Sequence, residues 1–211
     1  MRKKALRLGV LVSGRGSNLQ AIMDHVQRGE LDAQVAVVLS DVRDAYALER
    51  ARRAGIPAIA VPREDYPTKA AFNRALLDHL RGHNADLVIL ADYLRILSDE
   101  LVDAFQGRIM NIHPSLIPAF CGKGMHGLRV HQAALDYGVK ISGVTVHFVE
   151  KDVDTGPIIL QRAVPVEDDD TAETLAERVL FQEHQVYSEA IQLFAEGRLK
   201  VEGRRVRVLP A

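Results

Sequence analysis

The order of apolar and polar positions predicts strands and helices that alternate along the first half of the chain. Short apolar runs are typical of buried strands, and apolar residues repeated every three or four positions are typical of helices packed on a sheet. Because strand and helix alternate, the strands are expected to be parallel and joined by right-handed crossovers. The predicted strands are 8–12, 35–39, 58–61, 87–91 and one that ends at Asn111. The predicted helices run from Leu19 to a stop at Gly29, over 45–54, from a cap at Thr68 through Leu80, and from a cap at Ser98 to Phe105.

The pattern changes after Ser115, where a glycine-rich loop interrupts the alternation. An alternating strand and a second apolar run are then joined by a turn, which predicts an antiparallel pair. We expect a Rossmann-like α/β fold with a mostly parallel twisted sheet, helices on both faces and an antiparallel C-terminal addition. The predicted elements here are a helix over 128–137, strands over 144–149 and 158–160, a long helix to about Ala195, and hairpin strands over 199–201 and 206–208.

Composition and charge narrow the class of partner. Hydrophobic residues make up 47% of the 211 residues, enough for one sizeable core, but no stretch approaches the roughly 20 apolar residues of a membrane-spanning helix. The net charge of −1 and the 5% aromatic content argue against nucleic acid and anionic lipid. The basic start Met1–Lys4 precedes an apolar run too short for a signal peptide, and the single cysteine, Cys121, excludes an internal disulfide. We therefore expect a cytoplasmic monomer or homodimer that acts on small molecules.

The sequence Asn111–Ser115 follows a predicted buried strand, and strand ends are where α/β folds place their chemistry. His113 can change charge near neutral pH, and Asn111 lies on the same side of an extended chain, where it can donate two hydrogen bonds. Pro114 favours an extended conformation at His113. Asp154, in the turn after the alternating strand, is the candidate carboxylate partner, although a turn acid is its more ordinary role. A lone His-Pro pair more often fills a turn, so this hypothesis depends on the other motifs.

The loop Ser13–Asn18 joins the first predicted strand to the first helix. Its glycines permit a close backbone approach, and a helix N-terminus offers unpaired N–H groups to an anion. The loop is not a Walker loop, because no Gly-Lys-Ser/Thr follows, and Leu19 occupies the third glycine position of a dinucleotide fingerprint. A phosphate monoester is the expected ligand. The alternative is a tight turn in which Ser17 is the helix N-cap.

Other candidate residues carry weaker signals. The segment 90–97 leaves a strand at the same sheet edge, where its apolar residues either line a slot for a flat ligand or pack under the next helix. Glu183 falls on the apolar face of the last helix, where a carboxylate needs a partner or borders a pocket. His147 is interpreted as a satisfied histidine of the core or a sheet face, and Cys121 as incidental, because no local base is evident. No Cys/His cluster has metal-ligand spacing, so no metal is expected.

Three stretches together resemble the glycinamide ribonucleotide formyltransferases of purine biosynthesis. The His-Pro-Ser and Asp-x-Gly motifs are shared by the wider group of formyltransferases that use 10-formyltetrahydrofolate. The Gly-x-Gly-Ser-Asn loop is the more specific mark, because the ribonucleotide enzyme must hold a ribose phosphate there. The resemblance covers about Leu8 to Leu199, and its motifs are Gly14–Leu19, Asn111–Leu116 and Asp154–Ile158.

The resemblance implies direct formyl transfer from 10-formyltetrahydrofolate, a co-substrate, to the amine of glycinamide ribonucleotide through a tetrahedral intermediate. Such chemistry needs positioning and oxyanion stabilisation rather than a metal. By similarity, His113 is the general acid and oxyanion partner, Asn111 is a second donor, and Asp154 favours the protonated form of His113.

The resemblance also implies binding roles within one domain over 1–211. About 1–112 forms the phosphate-binding half, and about 113–211 forms the folate-binding and catalytic half with a closing hairpin. The implied ribonucleotide contacts are Gly16, Ser17, Asn18 and Glu183, and the implied folate contacts are Lys69, Leu94, Arg95, Ile96, Leu97 and Asn111. The chain departs from the family pattern at Lys69, often Arg, at Asp92, more usually Gly, and at Asp41, more usually Asn.

Three alternatives to formyl transfer to glycinamide ribonucleotide remain open. Another formyltransferase, acting on methionyl-tRNA or an amino sugar, shares the His-Pro-Ser motif but usually carries an added domain. A formyltetrahydrofolate hydrolase shares His113 and Asp154. A nucleotide-binding module without catalysis needs only the phosphate loop, and the set formed by Asn111, His113 and Asp154 argues against it.

Overall fold

A computed structural model describes residues 5–210, which form two compact units with the boundary between Met110 and Asn111. The basic residues 2–4, interpreted above as the start of the chain before the first strand, lie outside the described residues. Each unit has its own arrangement of strands and helices, and each carries part of the candidate chemistry.

The first unit alternates strand and helix as the apolar pattern predicts. Strand β1 pairs in parallel with β2 and with β4, and β2 pairs in parallel with β3, which gives the strand order β3-β2-β1-β4. The strands are β1 (Leu6–Val12), β2 (Ala33–Ser40), β3 (Ala58–Ala60) and β4 (Leu87–Leu90). The helices are α1 (Ser17–Gln27), α2 (Tyr46–Arg53), α3 (Lys69–Gly82) and α4 (Asp99–Ala104), with a short 3-10 turn at Arg63–Asp65.

Side-chain caps begin two of the helices of this unit, α3 and α4. Thr68 accepts a hydrogen bond from the Ala71 amide at the start of α3, and Ser98 caps α4 in the same way. Both predicted caps are confirmed. The alternative in which Ser17 is the N-cap is wrong, because the N-cap of α1 is Gly16 in the left-handed conformation with φ 70°.

The second unit contains the predicted antiparallel pair. Strand β6 (Ile141–Phe148) pairs antiparallel with β7 (Ile158–Pro165), with Ile141 opposite Pro165. The hairpin β8 (Leu199–Glu202) and β9 (Arg205–Val208) is also antiparallel, and β9 pairs in parallel with β7. The strand order is β5-β6-β7-β9-β8, where β5 is Ile109–His113. The helices are α5 (Leu128–Tyr137) and α6 (Ala172–Ala195).

The long helix α6 begins with a reciprocal cap between Thr171 and Thr174. Arg178 forms two hydrogen bonds to the carboxylate of Asp170, which lowers the pKa of Asp170 well below its usual range. The elements confirm an α/β fold with a mostly parallel central sheet and antiparallel C-terminal strands. Within residues 5–210 we find no helix that is both long and apolar enough to cross a bilayer.

Candidate active site

The end of β5 and the turn after β6 bring His113 and Asp154 together in the second unit. His113 Nδ1 lies 3.8 Å from Asp154 Oδ2, and both side chains are less than a tenth exposed. The Gly122 amide donates to the same Oδ2 at 2.8 Å, so this oxygen carries a fixed hydrogen bond as well as the ion pair. The carboxylate of Asp154 is therefore held beside the ring of His113.

A backbone carbonyl fixes the proton arrangement of His113. Its Nε2 lies 2.9 Å from the carbonyl oxygen of Phe120, which can only accept, so Nε2 bears the hydrogen. The proton that His113 gains or loses is therefore on Nδ1, the nitrogen that faces Asp154. The ring of His113 is therefore oriented so that Nδ1 is the nitrogen that can donate a proton.

His147 connects Asn111 to this pair. Its Nδ1 donates to the Phe148 carbonyl at 2.8 Å, and burial is the main cause that lowers the pKa of His147. In the neutral ring Nε2 is then an acceptor, and it takes a hydrogen bond from Asn111 Nδ2 at 3.2 Å. The same Nε2 lies 3.7 Å from Asp154 Oδ1. His147 thus orients the Asn111 amide and closes a four-residue cluster with His113.

The chain between His113 and Phe120 is held by a buried threonine. Thr145 Oγ1 donates to the Ser115 carbonyl at 2.7 Å and accepts from the Ile117 amide at 3.1 Å. Ser115 Oγ donates to the Ala119 carbonyl at 2.6 Å. These hydrogen bonds fix the backbone between His113 and Phe120, so the Phe120 carbonyl is held beside the His113 ring.

The turn that presents Asp154 requires glycine at residue 156. A Cβ at Gly156 would lie 1.8 Å from the Phe148 carbonyl oxygen, closer than any real contact. Asp154 itself has φ 55°, a left-handed conformation that Asp adopts more readily than most residues. The Asp-x-Gly motif therefore sets the direction of the carboxylate through the backbone.

The loop after β1 lies in the first unit and is anchored to α2. The Ala47 amide donates to the Gly14 carbonyl at 3.2 Å, and Arg50 Nε donates to the Arg15 carbonyl at 2.9 Å. Gly16 caps α1, and Ser17 and Asn18 form its first turn. The N-cap of α1 is therefore a glycine, which offers no side-chain hydrogen bond to the first turn of the helix.

The segment after β4 has no regular secondary structure and exposes two apolar side chains. Leu94 is 60% exposed and Ile96 is 52% exposed, whereas Leu97 is buried. The Leu94 amide donates to Ser13 Oγ at 3.0 Å, which links this segment to the end of β1. Arg95 is bound to the buried carboxylate of Asp41 at 2.5 Å.

The remaining predicted site residues lie on helices or loops. Lys69 is exposed in the first turn of α3. Glu183 is 6% exposed on α6, in agreement with its position on the apolar stripe. Cys121 is half-buried, and burial followed by the charge of Asp154 raises the pKa of its thiol, which argues against a nucleophile. Across the described ranges, no group of three or more His, Cys, Asp or Glu residues has the arrangement to hold a metal ion.

Comparison with known proteins identifies the family. The sequence profile described as "Formyl transferase" matches residues 6–191. The chain belongs to the formyl transferase family. The phosphoribosylglycinamide formyltransferase of Escherichia coli is 41% identical over 93% of this chain and 90% of that protein. The crystal structure of glycinamide ribonucleotide transformylase 1 from Symbiobacterium toebii has a TM-score of 0.94 at 53% identity, covering 99% of this chain and 96% of that one.

Some formyl transferase relatives are much longer than this chain. The bovine trifunctional purine biosynthetic protein adenosine-3 is 42% identical over 95% of this chain, but the chain spans only 19% of its length. This formyl transferase domain therefore also occurs as one part of a larger polypeptide.

The interpretation of His147 as a satisfied core histidine is confirmed, because the ring is buried and both of its nitrogens have hydrogen-bond partners. The alternation along β6 predicts two different faces, but Ser142 to Phe148 are buried on both, and alternation does not identify the strand beside it. Because β6 neighbours β5, the ring lies within hydrogen-bonding distance of Asn111. The sequence offered one signal of this contact: His147 is a polar residue in a strand that leads directly into the Asp154 turn.

We expect His131 to make the free energy of unfolding depend on pH. It is buried in α5, its Nδ1 has no hydrogen-bond partner among the described residues, and burial followed by the charge of His113 lowers its pKa from 6.5 to about 4. Between these pH values the unfolded chain binds a proton that the folded chain does not. The free energy of unfolding should therefore fall by about 3 kcal/mol as the pH drops from 6.5 to 4.

Urea unfolding at several pH values tests this expectation. His131→Leu should flatten the fall in that interval, and the comparison with wild type removes the contribution of other groups such as His147. An unchanged pH slope in His131→Leu would contradict the assignment.

Gly16→Ala should damage the loop after β1. The residue has φ 70°, which costs about 1–2 kcal/mol for a side chain, and its Cβ would lie 2.6 Å from Ala47 Cβ. We expect a comparable loss in the free energy of unfolding and a higher KM for a phosphate-bearing substrate. Gly14→Ala is the matched control, because a Cβ there meets no atom within 4 Å. Equal effects of both variants in urea unfolding and steady-state kinetics would refute the steric argument.

Proposed function

We propose that this protein transfers the formyl group of 10-formyltetrahydrofolate to the amine of glycinamide ribonucleotide in purine biosynthesis. The products are formylglycinamide ribonucleotide and tetrahydrofolate. The observation that carries the proposal is the pairing of His113 Nδ1 with Asp154, with Nε2 fixed by the Phe120 carbonyl, in a chain of the formyl transferase family. The proposed setting is the cytoplasm, with small molecules as partners and one domain over 1–211.

The catalytic cluster suits attack on a formyl group. Attack by the amine places negative charge on the formyl oxygen, and donors aimed at that oxygen lower the barrier. Asn111 Nδ2 and protonated His113 are the proposed donors. Asp154 stabilises the positive charge on His113, Nδ1 supplies the proton that the departing nitrogen requires, and the proton that the attacking amine loses restores protonated His113. One donor of this kind contributes roughly 2.7–4 kcal/mol.

The binding assignments follow the same proposal. Gly16, Ser17 and Asn18 hold the ribonucleotide phosphate at the start of α1, and Glu183 accepts hydrogen bonds from the same substrate. The exposed segment Leu94–Leu97 offers apolar side chains and backbone groups to the flat folate ring, and Lys69 offers a positive charge to a carboxylate. These residues fit a folate-derived donor because an apolar slot with a few polar edges is the usual form of such a site.

Tetrahydrofolate release tests the choice of acceptor. The purified chain is mixed with 10-formyltetrahydrofolate alone, with glycinamide ribonucleotide, or with methionyl-tRNA. Release that depends on the ribonucleotide supports the proposal. Release without any acceptor would indicate a hydrolase, and release only with methionyl-tRNA would indicate a different formyltransferase.

His147→Phe should lower kcat about tenfold while leaving both KM values nearly unchanged. The variant removes the acceptor of the Asn111 amide, and a lost hydrogen bond that leaves a buried donor unpaired costs about 1–3 kcal/mol. His147→Gln keeps an acceptor oxygen and should lose less. Steady-state kinetics of the two variants check this, and an equal loss in both would argue that the ring serves packing only.

A further inference from the structure

The first unit contains a buried carboxylate immediately after β2 whose two oxygens are both engaged. Asp41 Oδ1 accepts a hydrogen bond from Ser13 Oγ at 2.6 Å, and Oδ2 accepts from Arg95 Nε at 2.5 Å. Its side chain is 6% exposed, whereas that of Arg95 is 41% exposed. Burial of a carboxylate is costly unless it is paired and hydrogen-bonded, so these two contacts define its position.

Ser13 extends this pair to the backbone after β4. Its hydroxyl donates to Asp41 and accepts from the Leu94 amide at 3.0 Å, while its own amide donates to the Asp92 carbonyl at 3.1 Å. Asp41 therefore holds one side chain of the segment Leu94–Leu97 directly and one backbone amide through a single hydroxyl. Because Leu94 and Ile96 are largely exposed, packing contributes little to their positions.

We propose that Asp41 is a positioning residue for the formyl donor, which it serves by fixing the backbone of Leu94–Leu97 through Arg95 and Ser13. The identity of the ligand at that segment rests on the proposed function. A slot whose polar edge consists of backbone groups selects a flat ligand only if those groups are fixed before binding. Asp41, which follows β2, fixes the backbone groups of Leu94–Leu97 without being part of that segment.

The proposal predicts that loss of the Asp41 carboxylate raises the KM for 10-formyltetrahydrofolate and leaves the KM for glycinamide ribonucleotide nearly unchanged. Asp41 contacts the phosphate loop at its first residue, Ser13, whereas the residues that follow have separate anchors: the Ala47 amide holds the Gly14 carbonyl and Arg50 holds the Arg15 carbonyl. Loss of the Asp41 carboxylate therefore frees the donor segment and leaves the ribonucleotide loop in place.

Steady-state kinetics of Asp41→Ala and Asp41→Asn test this selectivity. Asp41→Ala should raise the KM for 10-formyltetrahydrofolate about tenfold, with kcat and the KM for glycinamide ribonucleotide within about twofold of wild type. Asp41→Asn keeps an acceptor but loses the charge opposite Arg95, so its effect should be smaller. The control is Asp44→Ala, an exposed acid three residues later. A parallel rise of both KM values with a lowered Tm would reduce Asp41 to a structural role and overturn the proposal.

Hydrogen exchange without ligand separates this inference from the proposed function. In ligand-free protein, amides of the peptide that covers 92–97 should exchange faster in Asp41→Ala and in Ser13→Ala than in wild type. Ser13→Ala retains the Asp41–Arg95 pair and thus provides a second variant if Asp41→Ala folds poorly. Unchanged exchange in both variants would overturn the positioning role. A wild-type protein that releases no tetrahydrofolate, with exchange still accelerated in the variants, would refute only the proposed function.

Discussion

His113→Ala is expected to lower kcat by about 10²–10⁴-fold. The variant removes the imidazole whose Nδ1 lies 3.8 Å from Asp154 Oδ2 and whose Nε2 is hydrogen-bonded to the Phe120 carbonyl. The KM values for both substrates should change little, because the proposed contacts to the phosphate and the folate are made by other residues. Rapid-quench measurement of the chemical step gives the loss directly.

His79→Gln is the control for this result. His79 is a half-buried histidine on α3 in the first unit, and the change removes an imidazole without reaching the cluster around Asp154. It should retain wild-type kcat. A His113→Ala protein with more than a tenth of wild-type kcat would remove His113 from the proposed role.

Asp154→Asn should lower kcat by about 10²–10³-fold. The substitution keeps the size of the side chain but removes the charge 3.8 Å from His113 Nδ1, and two unit charges at this distance interact by about 4 kcal/mol near a protein surface. It also weakens the acceptor of the Gly122 amide. Single-turnover formyl transfer at saturating substrates measures the effect.

Asp152→Asn is the matched change in the same turn. Asp152 is exposed, and its carbonyl oxygen accepts a hydrogen bond from Thr155 Oγ1 at 3.1 Å. Its removal should leave kcat within about twofold. If Asp152→Asn and Asp154→Asn lowered kcat to the same extent, the conformation of the turn as a whole, rather than the charge of Asp154, would be responsible for the loss.

Local chemistry explains why most of the fold could be predicted. Thr68 and Ser98 mark helix starts because their hydroxyls accept from backbone amides, and Phe72 and Leu76 recur at helical spacing on a buried stripe. The alternative in which Ser17 is the N-cap of α1 is wrong for a physical reason. Gly16 adopts a left-handed conformation against Ala47, a contact that depends on α2 and not on neighbouring residues in sequence.

The candidate site could be predicted where chemistry lies in short motifs, and not where it depends on neighbouring strands. Asn111, His113 and Asp154 stand in motifs whose spacing carries information. His147 carries no motif, and its contact with Asn111 exists only because β6 lies beside β5. The partners of Asp41 are separated from it by 28 and 54 residues, so no local pattern could reveal them.

The most direct test of the central claim follows the formyl carbon itself. The protein is incubated with 10-formyltetrahydrofolate labelled with ¹³C in the formyl group and with glycinamide ribonucleotide, and the product is identified by NMR. We expect the label in the amide of formylglycinamide ribonucleotide, in a one-to-one ratio with tetrahydrofolate, and its appearance should slow sharply in His113→Ala. Label recovered as free formate, or no transfer while both substrates bind, would contradict direct formyl transfer to this amine.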